Sequence, residues 1–311
     1  MTKVTIIGSG MVGASTANRL VEEGRVSEVV LLDIIEGMPQ GKGLDMLEST
    51  PILRSDVKIV GSNDYSDMKD SDIVVNTAGV PRRPGMSRLD LLKTNTEICR
   101  SVTEQIVKYA PDSMILMVAN PLDVMTYAAW KISGFETGKV FGMAGVLDSA
   151  RYKTFIAMEL GVSVEDISAI LMGGHGDSMV PLPRFTTVSG IPISQLIPQE
   201  RIDAIVDRTR NGGAEIVNLL SSSAYYAPSA AVAAMVDSIV RDRRRVMPVC
   251  AHLNGEYGFE DIYLGVPVIL GRDGVTKVIE LDLNDEERAY LNKSVKEVLS
   301  GIRTLTEEDL L

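Results

Sequence analysis

Through the first half of the chain, short apolar runs alternate with amphipathic stretches. Lys3–Ile7 reads as a short buried strand, Met11–Glu23 follows with helical spacing, and Gly24 supplies a stop. The next apolar run is Glu28–Leu32, closed by Asp33. Further runs lie at 57–60, Ile73–Asn76, 114–119 and 140–141, with helical stretches at 89–109 and 122–132 between the last three. Strands alternating with helices at this pitch imply βαβ units and a parallel sheet covered on both faces. The predicted class is α/β, with a Rossmann-type, doubly wound N-terminal half.

After about residue 145 the pattern changes. A helical segment is predicted over 148–160, then strand-like stretches at 167–171, 246–253 and 266–270. Long helical segments at 202–220, 230–240 and 285–299 are mixed among them. Scattered glycines and prolines suggest hairpins, so the second half reads as an α+β catalytic lobe with antiparallel sheet. The expected division is residues 1–145 for a dinucleotide and 146–311 for substrate. No linker or low-complexity tract separates the halves, which predicts tight packing between them.

Length supports two lobes, since 311 residues exceed the size at which one hydrophobic core usually stops growing. No apolar run reaches the roughly 20 residues that span a bilayer. Met1-Thr2-Lys3-Val4 runs into a strand without the basic, apolar and small-residue regions of a signal peptide, so the expected compartment is the cytoplasm. Cys99 and Cys250 have no partner at metal-ligand spacing; two reduced thiols are expected, and no metal. A net charge of −11 argues against nucleic-acid or anionic-membrane partners, while a few arginines in a cleft could still hold an anion.

Candidate chemistry begins at Gly8-Ser9-Gly10-Met11-Val12-Gly13, a G-x-G-x-x-G that follows a predicted strand and opens a helix. Gly8 permits the tight turn, Gly10 lets backbone approach a pyrophosphate, and Gly13 allows close helix–strand packing. Unpaired N–H groups of the helix N-terminus, Met11 and Val12 included, then face the phosphates. Asp33 ends the second strand, where a carboxylate accepts from ribose hydroxyls and repels a 2′-phosphate. The cofactor these residues favour is NAD.

The chain has two histidines, and a proton carrier at neutral pH is most often one. His175 sits among glycines in Gly173-Gly174-His175-Gly176-Asp177, an open setting, whereas His252 lies inside an apolar run and reads as structural. Asp148 and Arg151 are three apart on a predicted helix and so share a face; alone they could be a surface ion pair. Pro81-Arg82-Arg83-Pro84-Gly85-Met86-Ser87-Arg88 is a basic loop at the carboxyl end of a predicted parallel strand, the edge where open α/β sheets bind ligands. Asn120 ends another strand and could face the same cleft.

These motifs, with Thr77-Ala78-Gly79, Asn95, Val118-Ala119-Asn120-Pro121 and Leu147-Asp148-Ser149-Ala150-Arg151, stand in the order of a known family. The chain resembles the lactate/malate dehydrogenase family over its whole length, and looks most like its lactate-dehydrogenase-like bacterial malate dehydrogenases. The resemblance implies that His175 takes the substrate hydroxyl proton and that Asp148 orients its imidazole. It implies that Arg151 holds the C1 carboxylate, Arg88 polarises the C2 oxygen and Asn120 hydrogen-bonds it. Asn95 and the segment Val118, Ala119 and Asn120 resemble positions along the cofactor. An arginine at position 82 implies a second substrate carboxylate, hence malate, where a glutamine would accompany pyruvate; Arg83 is expected to face solvent. Ala224 matches a position where a lactate enzyme would carry a bulkier residue. The implied partner is a small dicarboxylic acid, and the implied assembly a homo-oligomer, a tetramer ahead of a dimer.

Two other classes fit less. NAD-dependent glycosidases share the cofactor loop but need a metal held by Cys and His, and no such cluster is present in the sequence. A non-catalytic NAD-binding regulator would have no reason to keep His175, Asp148, Arg151 and Arg88 together.

Overall fold

The computed structural model describes residues 2–81, 87–176 and 178–311. Its first half runs β1 (Lys3–Ile7), α1 (Met11–Glu23), β2 (Glu28–Leu32), α2 (Met38–Leu53), β3 (Lys58–Ser62), β4 (Ile73–Asn76), α3 (Arg88–Tyr109), β5 (Met114–Met117), α4 (Leu122–Ser133) and β6 (Val140–Gly142). The six strands are parallel, in the order β3-β2-β1-β4-β5-β6. Val29, Val30 and Leu31 on β2, and Ile73, Val74 and Val75 on β4, are fully buried, as strands covered on both faces must be. The order reverses between β1 and β4, which opens a crevice at their carboxyl ends. The doubly wound prediction agrees with this arrangement.

Several helix ends follow from local chemistry. Gly24 closes α1 in the left-handed region at φ 62°, its N–H returning to the carbonyls of Leu20 and Val21. Ser87 caps α3 in a reciprocal box with Asp90. The N-terminus of α1 has no side-chain cap, so its first N–H groups are left for a ligand or water.

The second half runs α5 (Gly145–Leu160), β7 (Ile167–Ser168), β8 (Leu171–Met172), β9 (Val180–Pro181), β10 (Thr187–Val188), β11 (Ile191–Pro192), α6 (Gln199–Leu220), α7 (Tyr226–Val240), β12 (Arg245–Asn254), β13 (Glu260–Gly271), β14 (Gly274–Val278) and α8 (Asp285–Glu307). The expected antiparallel sheet is present as β12-β13-β14, and it continues the parallel sheet. Cys250 of β12 pairs with Gly142 of β6, so nine strands form one sheet. The single strand expected at 167–171 is instead two. β7 pairs with β10 and β8 with β9, in separate small sheets. A second apolar cluster, including Tyr152, Ile156, Ile167, Val188, Ile202 and Ile205, packs α5 against α6 and these small strands.

Candidate active site

The glycine turn behaves as its spacing requires. Gly8 adopts φ +97°, and a Cβ on Gly13 would lie 1.9 Å from the Gly8 carbonyl oxygen, so α1 can approach the turn only without a side chain there. A Cβ on Gly10 would meet nothing within 4 Å, because it would project into the open crevice. Thr77 Oγ1 clamps the turn from β4's end, donating toward the carbonyls of Ile7 and Gly8, each at 3.0 Å. Met11 is exposed and Val12 half-buried at the mouth of α1.

Asp33 stands at the end of β2 beside this turn. Ser9 donates to its Oδ2 from backbone N at 2.6 Å and from Oγ at 2.9 Å, and Ile35 N reaches Oδ1 at 3.1 Å. Burial alone would raise its pKa, but these hydrogen bonds outweigh burial and hold the carboxyl below its ordinary range. Open backbone at Gly10, uncapped N–H groups and an ionised carboxylate at the strand end fit a dinucleotide without a 2′-phosphate.

Across the crevice, Asn95 on α3 is buried and its amide is fully engaged. Its Oδ1 accepts from Val80 N at 2.8 Å, and its Nδ2 donates to the carbonyls of Val80 and Asn120 at 3.1 and 2.7 Å. Asn95 therefore joins the root of the basic loop to the end of β5. Val118 is half-buried, Ala119 buried and Asn120 exposed, a gradation that carries the chain from core to crevice. Gly79 packs against Asn95 and Ala119.

The loop after β8 brings His175 to α5. His175 Nδ1 lies 2.9 Å from Asp148 Oδ2, and Arg151 Nη1 lies 3.3 Å from Asp148 Oδ1. Asp148 is 2% exposed, His175 and Arg151 each 14%. Burial by itself would lower the His175 pKa, as would the charge of Arg151. The Asp148 carboxylate, with Asp123 behind it, more than offsets both and raises it. With Nδ1 turned to Asp148, Nε2 is the nitrogen left for a substrate. Arg151 lies against Gly212 of α6, where a Cβ would come within 3.3 Å of its Cδ. Its Nε is buried and has no hydrogen-bond partner among the described residues, which suits an arriving carboxylate.

Arg88, at the start of α3, lines a cavity of about 640 Å³ with Pro121, Leu122, Asp123, Gly174 and His175. Arg82, Arg83, Gly85 and Asp177 lie outside the described residues. Ala224 is half-buried just ahead of α7. His252 sits apart from this site. Its ring packs on Trp130 at 4.6 Å and on Tyr263, and burial lowers its pKa. Among the described residues no group of three or more His, Cys, Asp or Glu side chains could hold a metal, and no helix is long and apolar enough to cross a membrane.

Sequence reasoning missed four contributors: Ser9 on Asp33, the Gly212–Gly213 face beside Arg151, and Asp123 and Ser294 beneath the His175 loop. Asp123 carried a visible signal as the acid of Asn120-Pro121-Leu122-Asp123 at a helix start. It would have read as a solvated first-turn carboxylate rather than a buried one.

A dinucleotide cradle at the switch point of a parallel sheet, together with a histidine whose ring is held by a buried carboxylate, fits an NAD-dependent oxidoreductase. Comparison with known proteins narrows the class. Residues 2–142 match the family model for the lactate/malate dehydrogenase NAD binding domain, and residues 145–309 that for the lactate/malate dehydrogenase alpha/beta C-terminal domain. The chain is 58% identical over 306 residues to the malate dehydrogenase of Roseiflexus castenholzii, covering 98% of this chain and 99% of that protein. Among solved structures it is similar to malate dehydrogenase from Salinibacter ruber, with a TM-score of 0.95, 53% identity and 98% of each chain covered. It is also similar to Cryptosporidium parvum lactate dehydrogenase complexed with lactic acid and NAD, with a TM-score of 0.95, 42% identity and 98% of each chain covered. The chain belongs to the lactate/malate dehydrogenase family.

Proposed function

We propose that this chain interconverts (S)-malate and oxaloacetate with NAD. The observation that carries the chemistry is the Asp148–His175 contact of 2.9 Å with Arg151 on the second carboxylate oxygen. In the oxidative direction His175 Nε2 takes the C2 hydroxyl proton as the C2–H bond breaks and the C2 carbonyl forms. Bound NAD supplies the acceptor for the hydride. Asp148 keeps the tautomer with Nδ1–H toward itself and stabilises the imidazolium that forms, as the carboxylate does in a Ser-His-Asp triad. Arg151 holds the C1 carboxylate through its planar fork. Arg88 and Asn120 stabilise the developing charge on the C2 oxygen. Gly8, Gly10, Met11, Val12, Gly13, Asp33, Val118 and Ala119 form the cofactor wall, and Asn95 positions that wall from behind. Residues 1–145 carry the cofactor and 146–311 the substrate.

Malate is favoured over lactate on two grounds: the relatives at 54–59% identity named malate dehydrogenase, and Arg82. Arg82 would meet the carboxylate that malate has and lactate lacks. The test is kcat/KM with NADH for oxaloacetate against pyruvate. Wild type should prefer oxaloacetate. Losing one partner of a water-excluded charge pair costs about 2–5 kcal/mol, so Arg82→Gln should lower kcat/KM for oxaloacetate by roughly 30- to 4000-fold and raise it for pyruvate. A wild type that prefers pyruvate would make the chain a lactate dehydrogenase. An unchanged Arg82→Gln would mean the second carboxylate is read elsewhere.

The proposed assembly is a homo-oligomer, a tetramer ahead of a dimer. Its support is apolar surface on two helices: Leu44, Leu47 and Ile52 of α2, and Leu219 and Leu220 of α6, are all exposed, Ile52 at 85%. Patches of this kind on a folded chain mark association surfaces.

A further inference from the structure

Beneath the loop that carries His175, three consecutive peptide N–H groups are pinned by three different elements. Gly173 N donates to the Gly265 carbonyl of β13 at 2.8 Å. Gly174 N donates to Ser294 Oγ of α8 at 2.7 Å, and His175 N to Asp123 Oδ2 of α4 at 2.8 Å. The two side-chain pins cross 120 and 52 residues of sequence. Neither belongs to the pair that orients the imidazole ring.

The glycines of the loop make these pins reachable. A Cβ on Gly173, which holds φ +83°, would lie 2.8 Å from Ser294 Oγ. A Cβ on Gly174 would stand 3.1 Å from a Val298 methyl and 3.4 Å from Asp123 Oδ2. The loop thus threads a gap between α8 and α4 that admits backbone alone.

Asp123 is a costly way to hold a loop. It is 4% exposed, and its Oδ1 has no hydrogen-bond partner among the described residues. Burial raises its pKa, and the Cys250 thiol lies against it. A buried, under-partnered carboxyl destabilises a fold, and apolar packing would fill the same space more cheaply. Its hydrogen bond goes to the peptide of the acid–base histidine. It also stands three residues after Asn120, whose carbonyl Asn95 holds.

We propose that Asp123 is a positioning residue that ties the Asn120 strand end to the His175 loop, fixing the separation of Asn120 and His175, two of the three groups assigned to the substrate oxygen, with Ser294 holding the adjoining peptide. Asp148 sets the rotation of the imidazole through Nδ1 but cannot fix where its backbone stands. Asp123 and Ser294 supply that second constraint. The assignment rests on the reading of His175 as the acid–base group.

The full-length chain tests it through Asp123→Ala, Asp123→Asn and Ser294→Ala, with kcat and KM for oxaloacetate and NADH affinity by fluorescence. Displacing a reacting group by about 1 Å can cost about 100-fold, so Asp123→Ala should lower kcat by roughly 10- to 100-fold while NADH affinity stays within about twofold. Asp123→Asn retains an oxygen that accepts from His175 N and should recover kcat to within about fivefold of wild type, the worth of about one hydrogen bond. Ser294→Ala, which removes a single hydroxyl, should lower kcat by about 3- to 10-fold on the same scale. Wild-type kcat in Asp123→Ala, or an Asp123→Asn as slow as Asp123→Ala, overturns the proposal. If Asp123→Ala does not fold, Ser294→Ala together with Asp123→Asn decides, and wild-type kcat in Ser294→Ala overturns it. Full turnover by His175→Asn would instead strike down the reading beneath it.

Discussion

Asp148 is the residue on which the proposed chemistry turns, because one buried carboxylate serves two neighbours. Its Oδ2 faces the imidazole that must gain and lose a proton, and its Oδ1 faces the guanidinium assigned to the substrate. Against burial and the Arg151 charge, Asp148 keeps the His175 pKa raised. The sign of the consequence follows. Reduction of oxaloacetate consumes the protonated histidine, so a raised pKa extends that activity to higher pH; malate oxidation needs the neutral form and is lost as pH falls through the same value. Asp148→Asn removes the charge that raises it. Its residual reduction should therefore fail at lower pH than in wild type, alongside a large loss of kcat, because the amide can also favour the wrong tautomer. The pH profile of kcat/KM for oxaloacetate reads this out. A descending limb that stays where wild type has it would mean that Asp148 does not set the proton affinity of His175.

At the scale of elements, legibility in the sequence tracked how local the cause was. The unit β1-α1-β2 was readable because an apolar run, a glycine turn and a left-handed glycine stop are all written within about 30 residues. Helix α2 was not foreseen. It carries Pro39, Gly41, Gly43 and Pro51, and its apolar residues are split between the core side, Met46, and the solvent side, Leu44, Leu47 and Ile52, so no single stripe announces it. What holds it is close packing on β3, where a Cβ on Gly61 would lie 2.0 Å from the Pro39 carbonyl oxygen. Strand β14 was also missed, being short and half exposed, and the run 167–171 was read as one strand because pairing partners are not encoded locally. The site divides in the same way. Gly8, Gly10, Gly13 and Asp33 form a local pattern, and the tight turn it implies is the one the chain adopts. His175, Asp148 and Arg151 were candidates from residue type, and family resemblance supplied their roles. Ser9, Asp123 and Ser294 act through contacts with Asp33 or the His175 loop that only the folded chain creates; no spacing marks Ser9 or Ser294, and the place of Asp123 at a helix start does not reveal its burial.

For the whole molecule, one sheet joins both halves. Pairing of β6 with β12 carries the parallel cofactor sheet directly into the antiparallel meander, and Pro121, beyond the end of β5, lines one cavity with His175. That continuity fits a reaction in which cofactor and substrate must be held in fixed register. The apolar surfaces of α2 and α6 add the expectation that several copies assemble. Sedimentation at micromolar concentration should give a mass above one subunit, and Leu47→Asp with Ile52→Asp should lower it; a wild-type monomer would contradict the assembly. The central claim, that this chain reduces oxaloacetate with NADH through His175, is tested most directly by NADH absorbance at saturating oxaloacetate in wild type and His175→Asn, with NADH binding followed in parallel. A positioned acid–base group contributes about 100- to 10,000-fold, so wild type should consume NADH readily while His175→Asn binds NADH normally and turns over slower by that factor. A His175→Asn enzyme within about threefold of wild type, or a folded, NADH-binding wild type that leaves oxaloacetate untouched, would contradict it.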